Sequence, residues 1–225
     1  MPRGALTGLF RWTYSSLRKR SPRRKPPASG EAVRLTATDP RWPSALATRL
    51  GETAPQDLWV LGILTLLAAR KTALFCSART PGDAILRAHD TARQLRDEGI
   101  TVISGFHSPI EKDCLRILLR GTQPIIVCPA RAIEGMRIPP ECRAAFEAGR
   151  LLFLSPFIEQ PKRVTKESAL RRNELVAGLA DEVFIAHITP GCRTEDLVRM
   201  LKGWRVPVLW HDLDFQSELA LGKYI

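Results

Sequence analysis

The sequence predicts an α/β fold, a Rossmann-like three-layer domain in which a mostly parallel sheet is flanked by helices on both faces. Three observations carry this. Short apolar, β-rich runs recur at residues 73–76, 101–103, 125–128, 151–154, 183–186 and 206–210. They do not alternate apolar with polar, which marks strands buried on both faces. Between them lie segments of helical period, and strands alternating with amphipathic helices build a parallel sheet.

The elements follow in order. Ala73-Leu74-Phe75-Cys76 breaks into the polar turn Ser77-Ala78-Arg79, and Ile85, Ala88, Ala92 and Leu95 then form one helical stripe at three- and four-residue steps. Thr101-Val102-Ile103 ends at Ser104-Gly105 and is followed by a stripe of Ile110, Cys114, Ile117 and Leu118. The run 125–128 ends in Pro129-Ala130-Arg131, and 151–154 ends in Ser155-Pro156. After 183–186 come Thr189-Pro190-Gly191, then a stripe of Leu197, Val198 and Leu201 leading to 206–210.

Ser104 follows Ser77 by 27 positions, the length of one strand–helix–strand unit. Right-handed crossovers put every strand's carboxyl end on one edge, so these turns open onto a shared crevice. The turns are rich in small hydroxyl residues and glycine and carry two arginines. Small residues let backbone amides approach a ligand, helix amino termini favour anions, and arginine matches phosphate oxygens with a planar fork. A phosphate-bearing ligand is the reading this supports. The alternative is that Ser77 and Ser104 only cap the helices after them. Neither G-x-G-x-x-G nor G-x-x-x-x-G-K-[ST] occurs, so the site is neither a dinucleotide fingerprint nor a P-loop. Phe106 and Phe157 follow strand ends, either as stacking platforms for bases or as pins holding their turns to the core.

Composition sets the bounds. The chain has 225 residues, 44% hydrophobic and 25% charged, which suits one well-buried domain. Its net charge is +11, but residues 1–30 hold eight basic residues and no acid, so that arm alone carries +8. With Pro22, Pro26, Pro27, Ser29 and Gly30, it is expected to be disordered, leaving residues 31–225 as the domain. A solvated extension, a polyanion-binding arm and an Arg-rich targeting peptide are the three readings of it. No run reaches the length of a membrane span. Five widely spaced cysteines, Cys76, Cys114, Cys128, Cys142 and Cys192, form no C-x-x-C pair, so a reducing cytoplasm and buried packing are expected. His89, His107, His187 and His211 show no metal-ligand spacing, and no metal or cofactor is expected. His107 and Asp113 lie near Ser104 in sequence, but no G-x-S-x-G elbow supports a hydrolytic triad.

A family resemblance rests on an ordered set of residues. Asp39-Pro40-x-Trp42-Pro43 with Leu46 and Leu50, then Pro55, Leu58-Trp59-Val60 and Gly62, then Ser77-x-Arg79, Ile103-Ser104-Gly105, and Arg172-Asn173 before Ala177-Gly178-Leu179-Ala180-Asp181 come in sequence. Their order and spacing resemble the DprA/Smf DNA-processing family from about residue 33 to 210. The resemblance implies a domain of the superfamily shared with the LOG phosphoribohydrolases, one that binds single-stranded DNA and helps load a RecA-type recombinase without a catalytic reaction. A homodimer is a further expectation. It also implies that Trp42 and Trp59 pack onto the sheet, and that the chain is a stand-alone core without the extra terminal modules of many relatives.

The resemblance places Ser77, Arg79, Ser104, Gly105, Arg172, Asn173, Gly191 and Thr194 at a phosphate-binding edge. Three departures fall near that edge. The G-I-D element reads Pro109-Ile110-Glu111, the second arginine of R-N-R is Glu174, and the final S-G-S/T turn reads Thr189-Pro190-Gly191-Cys192-Arg193-Thr194. Pro109 is expected to remove a backbone donor, and Glu174 to replace a cation with an anion. A rival reading comes from the LOG pattern. Arg172 stands nine residues before Asp181, and Pro190-Gly191, Thr194 and Glu195 follow the next strand. In that reading the ligand is a free nucleotide, and Glu195 is an acid/base or ribose-binding residue of a phosphoribohydrolase. Its alternative is a first-turn helix acid favoured by the dipole.

Overall fold

The computed structural model describes residues 31–77, 80–158, 163–188 and 193–209, without the side chains of residues 193 and 194. The basic arm 1–30 lies outside the described residues. Among the described residues there are eight strands: β1 Val33–Thr36, β2 Asp57–Leu61, β3 Lys71–Phe75, β4 Thr101–Ser104, β5 Ile125–Val127, β6 Leu151–Ser155, β7 Glu182–Ile185 and β8 Val208–Leu209. The helices are α1 Ser44–Leu50, α2 Gly82–Asp97, α3 Pro109–Leu119, α4 Arg143–Glu147, α5 Lys166–Leu179 and α6 Arg193–Gly203. All eight strands join one sheet in the order β1-β2-β6-β5-β4-β3-β7-β8.

The six strands from β6 across to β8 pair in parallel, as the sequence predicts. Two strands are additional. β2 pairs antiparallel with β6, and β1 antiparallel with β2. Of β1 only Leu35 is buried, so four residues with a single inward side chain leave almost no apolar signature. Trp42 packs against the core from just before α1, and Trp59 lies within β2 against the opposite core.

The central strands are buried on both faces, as their unbroken apolar runs require. Ala73, Phe75, Ile103, Ile126, Val183 and Ile185 face one core, completed by Leu175, Val176 and Leu179 of α5 and Leu197, Val198 and Leu201 of α6. Leu74, Val102, Ile125, Val127 and Phe184 face the other, against the α2 and α3 stripes. Four predicted strand ends shorten. Cys76, Cys128 and Ala186 fall just past β3, β5 and β7, although Cys128 still donates to the Ser104 carbonyl (2.8 Å). The last strand loses residues 206 and 207, where Pro207 has no donor for the ladder.

From β3 the chain steps through β4 and β5 to β6. Helix α5 then carries it back across the sheet to β7, on the other side of β3. Such a reversal is where open α/β sheets hold ligands, outside the carboxyl ends of the strands. At the far end of α5, Arg49 of α1 donates to the carbonyls of Gly178 (3.1 Å) and Ala180 (2.6 Å). A cation there complements the helix's negative end and fixes α1 to α5.

Candidate functional site

The two serines that end β4 and β6 perform the same local task. Ser104 Oγ donates to the Leu74 carbonyl (2.7 Å) and accepts from the Phe106 amide (3.3 Å). Ser155 Oγ donates to the Arg131 carbonyl (2.7 Å) and accepts from the Phe157 amide (3.1 Å). Each hydroxyl stitches its turn to the neighbouring chain, and Ser104 is fully buried. Neither Ser77 nor Ser104 caps a helix, which corrects that alternative. The cap of α2 is Pro81, and that of α3 is Ser108, whose hydroxyl accepts from the Glu111 amide (3.1 Å). Ser77 is half-buried, and its carbonyl accepts from the Thr80 hydroxyl (2.8 Å). Phe106 and Phe157 are buried and pin their turns to the core.

Glu111, in the first turn of α3, is a buried carboxylate with three backbone donors. Oε1 accepts from Cys76 (3.1 Å), and Oε2 accepts from His107 (2.8 Å) and Ser108 (3.2 Å). Those amides belong to two different connections, the one after β3 and the one after β4. Hydrogen bonds to an ionised group contribute about 1.5–3 kcal/mol each, so this one side chain holds the two loops in register.

Arg172 projects from α5 over the same edge and is only 4% exposed. Its Nε donates to Asn173 Oδ1 (2.8 Å) and its Nη1 to the Cys128 carbonyl (3.2 Å). Burial pushes its pKa down, while the charge of Glu111, and more weakly Cys128, works the other way. Gly105 lies directly beneath the guanidinium, since a Cβ there would stand 1.3 Å from Nη1. The structure therefore brings together three of the residues singled out from sequence, Gly105, Arg172 and Asn173, with Ser104 supporting their turn from inside.

Beside them opens a cleft of about 410 Å³ between the carboxyl ends of β4 and β5 and the start of α5. Gly105, His107, Arg131, Arg163, Val164 and Arg172 line it, and among the described residues no acidic side chain does. Three guanidinium groups and an imidazole around one open cavity suit the oxygens of a phosphate chain. Arg131 is visible in sequence as a turn residue. Sequence reasoning misses Arg163, because it sits in the irregular connection between β6 and α5, where no pattern marks it. His107 is exposed at the helix start, and Asp113 pairs with Arg116 along α3, so the two do not form a triad with the buried Ser104.

Two expected departures change meaning. Pro109 occupies the first position of α3, where the missing N–H has no partner to lose. Glu174 does not face the cationic cleft. It lines a separate cavity of about 340 Å³ with Leu50, Phe157, Arg171 and Leu175, where burial raises its pKa against the pull of Arg171. Arg79 and Gly191 lie outside the described residues, as does the side chain of Thr194, the second residue of α6. Glu195 stands in the first turn of α6, where the helix dipole favours an acid. Among the described residues no helix is long and apolar enough to cross a membrane, and no group of three or more His, Cys, Asp or Glu could hold a metal ion.

A mostly parallel sheet covered by helices on both faces, with an arginine-lined cleft at the carboxyl ends of β4 and β5, defines a Rossmann-like domain. The family model for DNA recombination-mediator protein A matches residues 34–190, and the chain belongs to that family. Solved structures agree in fold. DNA processing protein A from Helicobacter pylori, a structure described for its single-stranded DNA binding mode, is 22% identical over 86% of this chain and 89% of its own, with a TM-score of 0.66. DprA from Streptococcus pneumoniae is 18% identical over 81% of this chain and 65% of its own, with a TM-score of 0.65. No curated protein gives a significant match.

Proposed function

We propose that this chain is a DNA-processing protein that binds single-stranded DNA through the cleft at the carboxyl ends of β4 and β5. The observation that carries this reading is the cleft's lining, which holds Arg131, Arg163, Arg172 and His107 and, among the described residues, no acidic side chain. Membership of the recombination-mediator family supports it, as does the single-stranded DNA binding described for the Helicobacter pylori protein. Arg131 and Arg163 are exposed and suited to backbone phosphates, while buried Arg172 holds the floor of the cleft above Gly105. Arg79, Gly191 and Thr194 are further phosphate contacts in this reading. Assistance to a RecA-type recombinase, and action as a homodimer, are the family functions it would serve.

The test is a titration of a labelled single-stranded oligonucleotide against the full chain and against Arg131→Ala with Arg163→Ala, at low and moderate salt. Binding should weaken steeply with salt, and the double variant should bind less tightly with a shallower slope, by about 0.7 for each phosphate no longer neutralised. A parallel variant, with the eight basic residues of 1–30 replaced by glutamine, measures the arm's share. If the full chain ignores the oligonucleotide at low salt, or the cleft variants bind as well as wild type, the reading fails. Adenosine monophosphate is the control ligand. If it displaces the labelled oligonucleotide at concentrations well below those at which unlabelled oligonucleotide does, a nucleotide is the better ligand.

A further inference from the structure

We infer that Glu111 is a built-in anion, whose carboxylate fills the amino-terminal seat of α3 and so keeps a ligand phosphate out of it. In sheets of this topology the helix amino terminus at the strand edge presents unpaired N–H groups, and a ligand phosphate commonly sits there. Here Pro109 offers no donor at the first helical position, and the amides that lead into the helix are occupied from within. His107 and Ser108 donate to Oε2, and Cys76, from the facing loop, donates to Oε1. The neighbouring Phe106 amide is held by Ser104 Oγ, and the Glu111 amide by Ser108 Oγ.

A phosphate entering this seat would have to break three charge-assisted hydrogen bonds to a tethered carboxylate. It would also approach a buried negative charge, since Glu111 is 7% exposed. Arg172 balances the Glu111 charge from within, and the exposed guanidinium groups of Arg131 and Arg163 line the neighbouring cleft. The anion site is thereby moved off the helix terminus and onto the side chains. Side chains spread around an open cleft suit successive phosphates of an extended polymer, whereas a sealed amide seat denies a mononucleotide its usual anchor. That the seat is filled stands on its hydrogen bonds alone; where the polyanion goes rests on the DNA reading of the cleft. Glu111 is on this view a positioning residue, one that fixes both walls of the edge and selects against a terminal phosphate.

The experiment uses the ¹⁵N-labelled full chain and inorganic phosphate as probe. It follows the amides of Cys76 and Ser108, which hydrogen-bond Glu111 but do not line the cleft. In wild type these two resonances should stay in place through millimolar phosphate. In Glu111→Gln, which keeps the shape but removes the charge and one acceptor, they should shift and saturate, with phosphate bound at least about tenfold tighter than by wild type. Glu111→Asp, which keeps the charge, should leave phosphate affinity at the wild-type level. A merely structural glutamate would lower the stability of the Gln variant without creating phosphate affinity. If both wild-type amides shift and saturate with phosphate, or if folded Glu111→Gln gains none, the inference is overturned. Should Glu111→Gln fail to fold, the wild-type titration decides alone. A gain of phosphate binding in Glu111→Gln, with no oligonucleotide binding by wild type, would sink the DNA reading and leave the filled seat standing.

Discussion

The guanidinium of Arg172 rests where Gly105 has no side chain: a Cβ on Gly105 would meet Cζ at 2.0 Å as well as Nη1 at 1.3 Å. Glycine is required here by close approach, not by an unusual backbone angle. Gly105→Ala must push the guanidinium away from the Cys128 carbonyl and Asn173, leaving a buried charge short of partners. We expect a loss of about 2–3 kcal/mol in chemical denaturation, with an unchanged denaturant slope. Oligonucleotide affinity should fall with it, because the floor of the cleft moves.

The arginines of the cleft should separate into two kinds. Arg131 is exposed, so Arg131→Ala should change stability by no more than about 0.5 kcal/mol while weakening DNA binding and flattening its salt dependence. Arg172→Ala should cost about 1–3 kcal/mol of stability as well, since it strips partners from the buried Cys128 carbonyl and from Asn173. Thermal unfolding beside a salt series of titrations distinguishes them. Equal stability losses would contradict the burial difference.

Ser104 and Ser155 make the same prediction twice. Ser104→Ala leaves the Leu74 carbonyl and the Phe106 amide without their hydroxyl partner, and Ser155→Ala does so for Arg131 and Phe157. Each should cost about 1–3 kcal/mol, with Ser155 at the lower end because its bond to the Arg131 carbonyl is only partly buried. Cysteine at either position, with its longer bonds and weaker donor, should recover only part of the loss. Urea midpoints of the four variants check this.

The thiols of the described cysteines should be inert in the native state. Burial pushes Cys128 up to about 12 and Cys142 up to about 11. Cys76 is also raised, first by its hydrogen bond with Cys114 and then by burial. Only the thiolate reacts, so raising the pH from 7 to 9, through the ordinary thiol range near about 8.5, should barely speed labelling of the folded chain. The unfolded chain should accelerate strongly over the same interval. Labelling is best followed in Cys192→Ser, because Cys192 lies outside the described residues. Native labelling that climbs with pH as in a free thiol would contradict the burial of these groups.

The parallel sheet is legible in the sequence because each central strand is an unbroken apolar run and each helix carries a stripe at three- and four-residue steps. The antiparallel strands β1 and β2 are not, since β1 buries one side chain and pairs with a strand that begins at Asp57, well beyond any local pattern. Arg172 and Gly105 are legible through spacing, but not the reason for the glycine, which is an approach between residues far apart in the chain. Glu111 stands out in the sequence only as a departure from a motif. Its actual task depends on three amides converging from two loops, which no one-dimensional pattern records. Glu174 shows the reverse error: two positions after Arg172 on a helix, its side chain points toward another cavity, as the helical turn of about 100° per residue requires.

Arg49, early in the chain, closes on the carbonyls of Gly178 and Ala180, and Arg172 belongs to the helix it grips. During synthesis α1 therefore waits without its partner until α5 has emerged. Contacts of such long range slow folding and leave early elements exposed meanwhile. The helix that ends this wait is also the one that lays its guanidinium over Gly105. Completion of the fold and completion of the binding edge are thus a single kinetic event, and a nascent or truncated chain that stops before α5 should be both unfolded at its amino-terminal end and unable to hold a ligand.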